Sequence, residues 1–206
     1  MKTLALTIAS FLTIMISSQV ITYAQGGDKL NPGDMLPAMD VQMKSASGSA
    51  TTLKEAAKAN GLLVMFSCNT CPFVIKNQPV TKEVMDYATA HNIGMVIINS
   101  NEAQRGDQDS YHAMIQYAKS QKYSVPYVMD DNSKMADLFG ASHTPEVFLF
   151  NKGNKLVYKG AMNDNPGDPT SAKKVYVEDA INAMIAGKEI DPKTTKSIGC
   201  GIKRKA

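Results

Sequence analysis

Tryptophan is absent from this chain, and histidine and cysteine occur only three times each. So small a set of imidazoles and thiols argues against a structural zinc site, which wants four ligands, typically as two close pairs. Charge imbalance is also lacking. The formal net charge of +3 is too small to argue for a nucleic-acid partner. Much of the basic excess sits in the closing Lys203-Arg204-Lys205 stretch, which reads as a solvated tail. There is no internal repeat and no low-complexity block. A hydrophobic content of 44% over 206 residues suits one globular domain with a sizeable core, plus extensions.

The first 24 residues stand apart. Lys2 is their only charge, an apolar core follows from Thr3 to Ile16, and "SSQVITYA" ends in a small residue before Gln25. That layout predicts a secretory signal over 1–24 with cleavage after Ala24; an uncleaved anchor is the alternative. Export, expected to the periplasm, puts the folded part where disulfides persist. Residues 25–34, "QGGDKLNPGD", read as a polar, extended or mobile leader.

After the leader, short apolar runs alternate with helical patterns. "LLVMF" (62–66), "GMVIIN" (94–99) and "PYVMD" (126–130) read as buried strands. Thr52 and Glu55 have capping-box spacing ahead of a short helix through Ala59. Tyr111, Met114, Ile115 and Ala118 recur at helical spacing, and "SKMADLF" predicts a short helix closed by Gly140. "EVFLFN" and "KLVYKG" read as a hairpin across Lys152-Gly153-Asn154. A helix follows, with Val177, Ala180, Ile181, Met184 and Ile185 on one face. Such alternation predicts an α/β domain over 35–190, a central mixed sheet with helices on both faces, and a C-terminal tail over 191–206.

Two of the three cysteines, Cys68 and Cys71, close the first strand in "SCNTCPFV". Pro72 fits the first turn of a helix, and the apolar positions Phe73, Val74, Val80, Val84 and Tyr87 extend it, with a kink expected at Pro79. A bridge between the two thiols would close a tiny loop and stabilise little, since stabilisation grows with loop length. Haem attachment would need His where Pro72 stands. Redox exchange remains. Cys68, at or just before a helix N-terminus, is expected to have its thiolate favoured. Lowering a thiol from about 8.5 to about 7 takes roughly 2 kcal/mol. Cys71, one turn inward and more buried, is expected to resolve the mixed disulfide made by Cys68.

The residues "SCNTCPFV", "HTPEVFLFN", "YKGAMNDN" and "SIGCGIK" resemble the thioredoxin-like superfamily, and within it the exported AhpC/TSA-type redoxin (peroxiredoxin-like) group. "NPGDMLPAMDVQMKSASG" is similar to the entry hairpin of redoxin domains. The resemblance runs from about Gly33 to Lys203. It implies a thioredoxin-like fold with an N-terminal hairpin and a strand-helix insertion. It also implies a cis peptide bond at Thr144-Pro145 lying against the two cysteines, with the Thr144 backbone pairing with an extended substrate. Of the three single disulfides the cysteines allow, Cys68–Cys71 is the expected one. In a tail that Gly199 and Gly201 make flexible enough to fold back near Cys68 and Cys71, Cys200 is a candidate third redox thiol, an intermolecular link or a tail anchor.

Departures from the pattern shape the auxiliary expectations. The strand before Cys68 lacks the buried acid of small thioredoxins, so Glu146 beside Pro145 is a candidate for proton transfer to Cys71, against a solvent-facing alternative. His143 is a candidate for tuning the thiolate, or a plain loop residue. Peroxiredoxins use P-x-x-x-T-x-x-C, whereas here Val64 and Cys68 stand at the Pro and Thr places. Dithiol exchange is therefore the leading expectation: an extracytoplasmic thiol-disulfide oxidoreductase acting on disulfide-containing proteins. It would be recharged by a membrane or thioredoxin-type reductant, with no cofactor and no resident metal. A thiol peroxidase is the second reading. A copper-handling protein using Cys68, Cys71 and His143 is the third.

Overall fold

The computed structural model describes residues 29–205. The export signal expected over 1–24 lies outside them, as does the start of the leader.

The uninterrupted apolar run from Leu62 to Phe66 dictates a strand covered on both faces. It forms β3 (Gly61–Ser67), buried along its whole length, at the centre of a five-stranded sheet. β3 runs parallel to β4 (Gly94–Asn99), which pairs parallel with β5 (Tyr127–Met129). On its other side β3 is antiparallel to β7 (Glu146–Asn151), whose hairpin partner β8 (Leu156–Gly160) closes the order β5-β4-β3-β7-β8. The sheet is mixed, as expected.

Alternation along β3 divides the core in two. Leu63 and Met65 pack with Val84, Met85 and Ile181 from α3 (Gln78–Ala90) and α6 (Tyr176–Ile185), and with Met114 of α4 (Tyr111–Ser120). Leu62, Val64 and Phe66 face the other way, onto Leu53 of α1 (Leu53–Ala56) and Phe139 of α5 (Lys134–Phe139). The expected entry hairpin is β1 (Met43–Lys44) against β2 (Ala50–Thr51). The β4-α4-β5-α5 stretch separates the cysteine pair from Pro145.

Local differences have local causes. The Thr52–Glu55 capping box is present in both directions, yet α1 ends at Ala56 rather than Ala59, because Ala57 turns extended to lead into β3. Gly61 makes that entry at φ +134, where a Cβ would strike the Phe150 carbonyl. The helix after the cysteines breaks at Asn77, two residues before the expected kink, into α2 (Pro72–Lys76) and α3. Pro79 has no N–H for the Ile75 carbonyl. The Asn77 amide instead donates to the carbonyls of Phe73 and Pro166, both at 2.8 Å.

Two segments expected to be loose are tied down. Gly33 N–H donates to the Leu156 carbonyl and Leu156 N–H to Asp34, both at 2.8 Å, so the described end of the leader lies along β8. The C-terminal tail is likewise a strap. Thr195 N–H donates to the Lys159 carbonyl on the β8 edge at 3.0 Å, and its hydroxyl bonds the Tyr158 hydroxyl and accepts from Ala161 N–H. Cys200–Gly201 forms β9, antiparallel to β6 (His143–Thr144). Beyond it Ala103 N–H donates to the Lys203 carbonyl at 2.8 Å, Lys203 N–H donates to the Asn101 side-chain oxygen at 2.9 Å, and Arg204 binds the Asp137 carboxylate at 2.7 Å and the Ala141 carbonyl at 2.7 Å. The basic end is thus partnered at Arg204 rather than wholly solvated. Nothing in the basic pattern of that tail specifies where it docks.

Candidate active site

β3 delivers Cys68 just past its last residue, and Cys71 follows as the N-cap of α2. Across from them Thr144 closes β6, and Thr144-Pro145 is cis. Thr144 meets both sulfurs. Its Oγ1 shares a hydrogen bond with Cys68 Sγ at 3.5 Å, and its carbonyl oxygen lies 3.3 Å from Cys71 Sγ. Cys68, Cys71 and Val74 form a small buried cluster, with Phe73 and Cys200 packed against it.

The bonded pair differs from the one expected. Cys71 is joined to Cys200, with Cα atoms 5.9 Å apart across 129 positions of sequence, and Cys68 is the free thiol. The reason lies in the strap: the β6–β9 ladder sets Cys200 opposite Thr144, hence beside Cys71. Spacing in the sequence favours Cys68–Cys71 only while the tail's path is unknown.

Cys68 also departs from the expected ionisation. It is only 1% exposed, against 4% for Cys71, and burial pushes its thiol above the ordinary value. The Thr144 hydroxyl and the N–H groups of Cys71 and Thr70 pull the other way, while the Asp109 carboxylate adds to the rise. Desolvation wins because the helix dipole here is that of a five-residue α2 that begins only after Cys71. The thiol is therefore held neutral at pH 7.

Glu146 points elsewhere than toward Cys71. Its Oε2 accepts the Ser142 and His143 N–H groups at 2.8 and 3.1 Å, clamping the loop that presents Thr144. His143 shares its Nδ1 with the Ser142 hydroxyl at 2.8 Å. Among the described residues no group of three His, Cys, Asp or Glu side chains could hold a metal ion. The copper reading finds no ligand set there.

A polar network behind Cys68 escaped the sequence reading. Asp109 is fully buried; its Oδ1 accepts the Asn69 backbone N–H at 2.9 Å and the Asn99 amide at 2.7 Å, and its Oδ2 the Asn101 amide at 2.9 Å. Tyr127 donates to the Asn69 side-chain oxygen at 2.8 Å and accepts from Asn99 at 2.9 Å. Arg105 closes the network on the carbonyls of Asp109 and Asn99, both at 2.8 Å. Hence Asn69, between the two cysteines, is fixed by both its backbone and its side chain. One sequence signal was available: asparagines at 99 and 101, at the end of an apolar strand and just after it. Nearby, Tyr117 and Tyr123 share Gln78, and burial pushes the Tyr117 phenol up to about 12, so it stays protonated at neutral pH.

The Redoxin family model matches residues 31–176. A hypothetical protein from Sinorhizobium meliloti is 30% identical, with a TM-score of 0.76 over 87% of this chain and 97% of its own. The thioredoxin domain of a thiol-disulfide oxidoreductase from Bacteroides vulgatus superposes at TM-score 0.55 and 17% identity, covering 67% of this chain and 94% of that one. A peroxidoxin from Mycobacterium tuberculosis does so at TM-score 0.57 and 12% identity, covering 76% and 97%. The last two establish the shared thioredoxin-like fold. Comparison with curated proteins finds no match.

Proposed function

The chain belongs to the redoxin family, and from that premise we propose that it is an extracytoplasmic thiol-disulfide oxidoreductase working through Cys68 and Cys71. The observation that carries this reading is a free thiol, Cys68, packed in one buried cluster with a formed disulfide at Cys71, both beneath Thr144. The order of events expected from sequence is reversed in this proposal. Cys71 forms the mixed disulfide with a substrate cysteine, and the buried Cys68 resolves it. Thr144 and Pro145 align the substrate, Glu146 holds their loop, and His143 supplies backbone to the docking edge. Substrates are disulfide-containing proteins, and a membrane or thioredoxin-type donor returns electrons. Export rests on the apolar segment ahead of Gln25.

The peroxidase reading gains no support from the site. Val64, which stands at the peroxiredoxin proline place, is a buried strand residue paired with Val96 and Phe148. Turnover assays separate the two. Exchange with a protein disulfide should exceed reduction of hydrogen peroxide or an alkyl hydroperoxide at least tenfold. The exchange rate should also keep rising with pH beyond the ordinary thiol midpoint, because a raised pKa delays the Cys68 thiolate to more alkaline solution. Equal or faster peroxide turnover would reverse the assignment. A rate that levels off near neutral pH would contradict the resolving role of Cys68.

A further inference from the structure

The strand edge that the proposed function reserves for substrate is already filled, and by this chain. β9 lies antiparallel on β6, with Thr144 opposite Cys200 and His143 opposite Gly201, and Ile202 N–H donates to the Ser142 carbonyl at 3.0 Å. Gly199 lies directly on the Thr144-Pro145 peptide. A Cβ added there would run into the Thr144 carbonyl oxygen and come within 2.8 Å of its carbon. On the far side of the cysteine, Ile202 is 8% exposed and packs into the core cluster around Phe66 and Phe139. Gly199, Cys200 and Ile202 thus make three separate fits: no side chain over the proline bend, a sulfur on Cys71, and an apolar anchor two residues on.

We propose that the tail is a tethered copy of the substrate, so that this edge takes extended protein segments of the pattern Gly-Cys-x-apolar. The inference rests on the oxidoreductase reading and names its substrate class. It also makes Cys200 a working thiol. Cys68, as thiolate, attacks Cys71 Sγ; the Cys71–Cys200 bond breaks and the Cys68–Cys71 bond forms. Cys200 leaves as thiolate and takes up the proton that Cys68 released through solvent. No electrons enter or leave, and the edge is free once the tail departs. A substrate segment then adds as a strand in the tail's place. In the reducing direction the Cys68/Cys71 dithiol gives two electrons and two protons to a docked disulfide, ending as Cys68–Cys71 with two substrate thiols released.

The test uses the full chain carrying Cys200→Ser, reduced, with peptides spanning residues 195–204 supplied as their glutathione disulfides. The native-sequence peptide should be reduced at least tenfold faster than its Gly199→Val or Ile202→Asp versions. Glutathione disulfide alone serves as the control for the dithiol centre. If it is reduced while all three peptides react equally, the docking inference is overturned and the oxidoreductase reading stands. If neither is reduced by the variant or by the reduced unmodified protein, that reading falls. A second readout needs no substitution. Reduction of the unmodified protein should cut hydrogen-exchange protection of the Ile202 amide at least tenfold, and undiminished protection would refute release of the tail.

Discussion

Replacing Cys71 with serine should abolish disulfide exchange, with a loss of roughly 1,000-fold or more, as when one member of a covalent relay is deleted. Cys71 is bonded to Cys200 in the structure, and in the proposed cycle it also bonds Cys68 and the substrate. Cys68 shares its buried cluster, and Cys200 packs against the same cluster. Cys68→Ser should behave differently. It leaves Cys71 able to form mixed disulfides but unable to release them, so a Cys68→Ser, Cys200→Ser double variant should accumulate covalent partners through Cys71. Cys71→Ser should trap few. Mixed disulfides collected by Cys71→Ser through Cys68 would restore the order read from the sequence. That order rests on Cys68 being the exposed, acidic thiol. The structure makes it the more buried of the two, with its pKa raised.

The second large effect is on stability. Asp109→Ala would leave three buried donors without their acceptor: the Asn69 backbone N–H and the amides of Asn99 and Asn101. Arg105 would keep its ion pair with Glu102 and its bonds to the backbone carbonyls of Asp109 and Asn99. Leaving three buried donors short of an acceptor costs about 3–5 kcal/mol in total. For a chain of this size each kcal/mol lowers Tm by roughly 2–4 °C, so a fall of about 6–20 °C is expected by circular dichroism. The loop from Cys68 to Cys71 should loosen with it, because Asn69 is pinned there from two sides. A fall of less than about 3 °C would mean that water replaces the carboxylate and that the network is not structural.

How much of this was legible in the sequence divides along physical lines. β3, β4, β7 and β8 were readable because continuous or alternating apolar runs leave little choice of structure. The Thr52 capping box and the Gly140 C-cap were readable because their chemistry is local. The nearness of Thr144-Pro145 to the cysteines came from resemblance rather than from any pattern in the residues. The path of the strap was not legible, although the glycines flanking Cys200 left the tail free to fold back toward the other two cysteines. Residues 191–205 carry neither period, and their path is set by long-range pairings to β8, β6 and Asn101. The Cys71–Cys200 bond and the burial of Cys68 beneath its neighbours follow from long-range packing, so both were missed together. Asp109 was missed for the same reason: its partners come from the Cys68–Cys71 loop and the end of β4, brought together only by the folded sheet.

Cysteine pairing across a graded series of redox buffers, trapped by alkylation and read by peptide mass spectrometry, bears most directly on the claim that Cys71 is the shared sulfur. Two single-disulfide forms in exchange are expected, Cys71–Cys200 and Cys68–Cys71, followed at lower potential by the fully reduced chain. A Cys71–Cys200 bond that persists until full reduction, with Cys68 never entering a disulfide, would contradict that claim.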